Sequence, residues 1–61
     1  MTYGELKRQL IKIGCYLDHE GNNHEIWFSP ITNKLFPVGR HNTKEIPGGT
    51  LKSIKNNSGL K

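Results

Sequence analysis

Cys15 is the only cysteine in a chain of 61 residues, and this narrows the range of possible folds more than any other feature. Small domains with thin cores are commonly stapled by disulfides or by a structural metal. One cysteine can form neither an internal disulfide nor a cysteine-based metal framework. A chain of this size also buries only about 60% of the surface its unfolded form exposes. The expectation is therefore one domain over residues 1–61, held by a small set of apolar side chains and without a large enclosed pocket. Cysteine usage fits a reducing, cytoplasmic setting.

The elements follow from periodicity. Thr2 and Glu5 have the spacing of a capping box, which starts a helix at Tyr3. Leu6, Leu10 and Ile13 fall on one helical face, Lys7, Arg8 and Lys12 lie largely elsewhere, and Gly14 supplies a left-handed stop. The segment "CYLDHEGNNHEIWFSP" reads as two strands joined around Gly21, Asn22 and Asn23, residues that tolerate the positive φ angles of hairpin turns. Cys15 and Leu17 share a face of the first strand. In the second, alternation places His24, Ile26 and Phe28 on one side and Glu25 and Trp27 on the other. With Ile26 and Phe28 taken as the core set, His24 sits at the rim of that face.

Pro30 closes the second strand, "ITNK" is a turn, and "LFPV" is a third strand that Pro37 assigns to a sheet edge. A loop from Gly39 to Gly49 leads to a short second helix beginning near Thr50. This helix carries Leu51 and Ile54, is weakened in its last turn by Asn56 and Asn57, and stops at Gly59, with Leu60 packing back. The order is α-β-β-β-α. The fold class is α+β, a three-stranded antiparallel sheet with one face buried under two helices.

Nine Lys and Arg against five Asp and Glu give a formal charge of +4. That balance favours an anionic partner, whether nucleic acid, an acidic membrane or an acidic protein. Glu5, Lys7, Arg8 and Lys12 interrupt every apolar run near the start of the chain, which predicts neither a signal peptide nor a membrane span.

Three histidines raise the question of a metal. The zinc-protease pattern needs two histidines four apart on one helical turn, whereas His19 and His24 are five apart across Gly21-Asn22-Asn23. The set Cys15, His19 and His24 matches no common zinc spacing, so no metal site and no cofactor is assigned. Ser29, Ser53 and Ser58 lack a nucleophile-elbow setting, and Cys15 among apolar neighbours reads as a small core residue. A histidine acting alone can still take or give a proton at neutral pH, which suits a substrate that carries its own nucleophile. RNA is such a substrate, because its 2'-hydroxyl lies beside the scissile phosphate. From position alone, however, a histidine following a turn is more often a surface residue than a catalyst.

"KEIPGGTLKSI" offers an anion site. Gly48 and Gly49 admit a ligand close to the backbone, the N–H groups of a helix starting near Thr50 point outward, and Lys52 is nearby. The same residues equally suit a plain helix entry. Lys7, Arg8, Lys12, Lys52 and Lys55 make either an RNA-facing basic surface or only a solvated one. Trp27 either stacks on a base from the open sheet face or covers a thin core.

Taken together, the helix ending at Gly14, "GNNHEIW" around His24, "FPVGRH", and "KEIPGGTLKSIK" closing in "SGL" resemble the HicA family of toxin mRNA interferases over essentially the whole chain. The resemblance implies a fold like that of double-stranded-RNA-binding domains and a cytoplasmic endoribonuclease that cleaves mRNA. It also implies a HicB antitoxin as partner, with room for a larger toxin–antitoxin assembly. His24 takes the place of the family's catalytic histidine, and His41 matches a frequent family histidine as an accessory candidate. Two departures stand out. Asn23 precedes the histidine where many members have Ser, and Gly39 stands where Pro is common, which is expected to loosen the exit from the third strand. The alternatives are a non-catalytic RNA-binding module of the same fold and a small protein-interaction domain with a basic face.

Overall fold

Thr2 starts the chain's first helix as its spacing to Glu5 requires. The Glu5 N–H donates to Thr2 Oγ1 at 3.3 Å, and the Thr2 N–H donates back to Glu5 Oε1 at 2.8 Å. This backbone bond, followed by that from the Thr2 hydroxyl, holds the Glu5 carboxyl below its usual pKa. The computed structural model describes residues 1–61, with α1 (Tyr3–Lys12), β1 (Tyr16–Glu20), β2 (His24–Ser29), β3 (Lys34–Gly39) and α2 (Gly48–Ser58). The strands form one antiparallel sheet in the order β1-β2-β3. β3 is therefore an edge, where Pro37 can lack its N–H without breaking an interior ladder.

The core contains Leu6 and Leu10 from α1, Cys15, Trp27 from β2, Phe36 and Val38 from β3, Ile46, and Ile54 from α2. This reverses the expected sheet faces. Trp27 is 5% exposed and pairs with Phe36, whereas Ile26 pairs with Pro37 and Phe28 with Leu35 on the open face. The edge partner explains the choice. Of β3's two alternating sets, Phe36 and Val38 can fill a core and Leu35 with Pro37 fills it poorly, so β2 must turn Trp27 inward. His24, in phase with Ile26 and Phe28, belongs to the open face rather than to the rim of the core. A bulge between Leu17 and His19 brings His19 opposite Ile26. Tyr16 packs its ring against Phe28 with centroids 5.5 Å apart.

Two glycines act as stops in left-handed conformation, Gly14 (φ +95°) and Gly59 (φ +82°). The hairpin at residues 21–23 uses no positive φ, contrary to expectation; the only non-glycine that does is Asn33, in the turn before β3. The second helix begins at Gly48 and reaches Ser58, so it is longer than the sequence suggests. Its Asn-rich last turn is held from outside. Ser29 Oγ, fully buried, donates to the Ser58 carbonyl at 2.6 Å, and Thr32 Oγ1 donates to the Asn57 carbonyl. No helix is long and apolar enough to cross a membrane.

Candidate functional site

The site builds outward from the β1–β2 hairpin. The Gly21 N–H donates to the His24 carbonyl at 2.8 Å, and a Cβ at position 21 would stand 2.8 Å from that same oxygen. Only glycine fits so close a turn, and the turn fixes the backbone from which His24 projects. His24 is exposed and occupies the last rung of the β2–β3 ladder, opposite Gly39. Among the three histidines only His19 has a side-chain partner, Asp18 Oδ2 at 2.7 Å from its Nδ1. The rings of His24 and His41 are unpartnered.

Gly39 is the last residue of β3 and is packed rather than open. The phenolic end of the Tyr3 ring lies over it, and a Cβ there would come within 2.8 Å of Tyr3 Cζ. Tyr3 thus brings the start of α1 to the end of the sheet where His24 lies. Arg40, the next residue, reaches back to the hairpin. Its Nη2 donates to the Gly21 carbonyl, and its Nε lies 3.1 Å from Glu20 Oε1.

Lys7 departs from the expected RNA-facing surface. It is 8% exposed, and its ammonium lies 2.9 Å from Glu25 Oε1 while donating to Asn42 Oδ1 at 2.6 Å. The same Glu25 oxygen accepts the Trp27 indole N–H at 3.0 Å. Burial by itself raises the Glu25 pKa, but the hydrogen bonds from Trp27 and Lys7 and the charges of Lys7 and Arg40 outweigh it and hold the carboxyl below the usual range. The Lys7 charge is therefore already neutralised inside the protein.

The two helix N-termini differ sharply. In α1 every early N–H is satisfied: Tyr3 donates to the Lys44 carbonyl, Gly4 to the Asn42 carbonyl, Glu5 to the Thr2 hydroxyl and Leu6 to the Thr2 carbonyl. In α2, Pro47 is the N-cap and offers no side-chain acceptor, and the N–H groups of Gly48, Gly49 and Thr50 have no partner within the protein. No acidic side chain occupies that first turn, and the space around both glycines is open. Three aligned donors with the positive end of an eleven-residue helix behind them attract an anion.

Contacts place this terminus toward the His24 end. Ser29 and Thr32 pin the C-terminus of α2 at the opposite end of β2, while Ile46, two residues before Gly48, donates to the Met1 carbonyl beside Tyr3. Lys52 and Lys55 line a shallow groove along α2 with Gly48, Leu51, Asn56 and Leu60. Arg8 lines a separate hollow with Thr2, Gly4, Asn42 and Thr43. Lys12, exposed, lies at the far end of α1, where Gly14 meets Pro30. The basic residues thus divide between the two helices, and Lys7, which lines the Arg8 hollow from beneath, has its charge turned to Glu25.

Cys15 is buried at the sheet end away from His24, so Cys15, His19 and His24 do not converge. Sequence reasoning passed over Tyr3, Glu25, Arg40 and Asn42, all of which build this end of the molecule. Only Arg40 carried a signal, standing beside His41 in "FPVGRH".

A family model described as "HicA toxin of bacterial toxin-antitoxin" matches residues 3–60. No curated protein sequence and no solved structure matched the chain.

Proposed function

The chain belongs to the HicA family of toxins of bacterial toxin–antitoxin systems, and from that premise we propose that it is a metal-independent endoribonuclease that cleaves mRNA and is silenced by a HicB-like antitoxin. The observation that carries the reading is His24 itself, an exposed and unpartnered imidazole on a backbone fixed by the Gly21 hairpin and the Gly39 rung. Such a group can exchange a proton with RNA without first breaking a bond to the protein.

The nucleophile comes from the substrate. The 2'-hydroxyl attacks the adjacent phosphorus and the bond to the 5'-oxygen breaks, leaving a 2',3'-cyclic phosphate and a free 5'-hydroxyl. His24 takes the proton from the attacking oxygen or gives one to the leaving oxygen. Lys52 and the free N–H groups of Gly48, Gly49 and Thr50 stabilise charge growing on the phosphate. Arg8, Lys12 and Lys55 hold the RNA backbone farther away, while Lys7 keeps its structural partner. No step asks for a metal.

The antitoxin silences the toxin by covering His24, the simplest block for a site that has no deep pocket. A footprint on the complex that leaves His24 as accessible as in the free protein contradicts that mechanism.

The test is incubation of the protein and its His24→Ala variant with mixed RNA in EDTA. Losing a proton-transfer group costs about 10²- to 10⁴-fold in rate, so the variant should bind RNA but barely cut it. Binding by both proteins with cleavage by neither would favour the non-catalytic RNA-binding module.

A further inference from the structure

We propose that His41 is the second proton-transfer group of this site, forming with His24 an acid–base pair that brackets the scissile phosphate; the inference rests on the endoribonuclease reading above. Three independent ties fix the segment carrying His41 to the segment carrying His24. Gly39 pairs with His24 in the ladder. Arg40 bonds to Gly21 and Glu20, at the base of the hairpin. Asn42 is joined through the Lys7 ammonium to Glu25, the neighbour of His24, and its carbonyl caps the Gly4 N–H. Lys7 thus bridges the residues that immediately follow the two histidines. This gives its buried charge a task that RNA contact does not.

The ladder limits the separation. Paired strand residues have Cα atoms about 5 Å apart and two further residues span at most about 7 Å, so the Cα atoms of the two histidines lie within roughly 12 Å. Imidazoles projecting from both can meet the two sides of one phosphate. Both rings are exposed and unpartnered, whereas His19, the third, is held by Asp18.

In the reaction one histidine enters neutral and the other protonated. The neutral ring takes the 2'-hydroxyl proton as the new P–O2' bond forms, and the protonated ring delivers its proton to the 5'-oxygen as the P–O5' bond breaks. One proton is gained and one lost, and exchange with water restores the starting pair.

The experiment compares wild type, His24→Ala and His41→Ala on one RNA found to be cut, and on the same RNA with sulfur replacing the 5'-bridging oxygen at the cut site. A thiolate leaves without a proton, so this substrate dispenses with the acid but still needs the base. On ordinary RNA, His41→Ala should lose about 10²- to 10⁴-fold, with a nearly unchanged melting midpoint because the residue is exposed and its ring makes no hydrogen bond or ion pair. On the sulfur substrate one variant should recover toward wild type while the other stays slow. His41→Ala cutting ordinary RNA within about threefold of wild type, or sulfur rescuing both variants or neither, overturns the pair. A His24→Ala protein as active as wild type, or a wild type that cuts no RNA, refutes the endoribonuclease reading and the pair along with it.

Discussion

Lys7 is the residue whose role changes most between sequence and structure. Helical periodicity groups it with Arg8 and Lys12 as a surface cation, yet it stands next to Leu6 on the edge of the buried stripe and finds Glu25 on β2 and Asn42 in the following loop. Nothing in the sequence announces that pairing, because the partners are brought together only when α1 packs on the sheet. The consequence is measurable at neutral pH. Glu25→Gln leaves an almost fully buried ammonium without its counter-charge and should cost about 2–4 kcal/mol, with the double change to Lys7→Met and Glu25→Gln recovering much of the loss. Acid should act in the same direction. Because the folded carboxyl has a lowered pKa, its contribution is complete above the unfolded value of about 4.3 and is lost as pH falls through the lower folded value. Denaturant midpoints measured from pH 6 down to pH 3 should therefore fall less steeply in Glu25→Gln than in wild type. Glu5, also lowered, remains in both proteins, so parallel curves would show that the Lys7 pair contributes little.

Among the elements, the helices and strands were legible because each carries its own local signals: the Thr2–Glu5 box, the glycine stops, and the Pro30 and Asn33 turn. The sheet's inward face was not. Both phases of β2 are apolar, Ile26 with Phe28 and Trp27 alone, so alternation cannot choose between them. The choice comes from β3, where Phe36 and Val38 must be inside, and from Ser29, which is fully buried because α2 ends upon it. The same serine explains why α2 outlasts its poor propensity. Ser29→Ala should leave the Ser58 carbonyl without its buried donor, costing about 1–3 kcal/mol. Hydrogen exchange should show the loss first in the last turn of α2, in residues 55–58. Unchanged protection there would mean that Leu60 and Gly59 hold the turn without the bond.

For the molecule as a whole, a charge of +4 favours an anionic partner but does not say which surface would meet it. Family pattern rather than spacing singled out His24, and the free N–H groups of Gly48, Gly49 and Thr50 became distinct from ordinary helix entry only beside the fully satisfied start of α1. Lys52 and Lys55 share the α2 groove, so Lys52→Glu should weaken RNA binding at low salt and reduce the salt slope by about one unit; an unchanged slope would remove the groove from the RNA path. The central claim, that the substrate attacks itself while His24 moves a proton, is tested most directly with an RNA bearing a single 2'-deoxy nucleotide just 5' of the mapped cut. The account predicts that cleavage at that bond stops while other sites are still cut, and that the unmodified RNA yields a 2',3'-cyclic phosphate. Efficient cutting of the deoxy-substituted bond would contradict it.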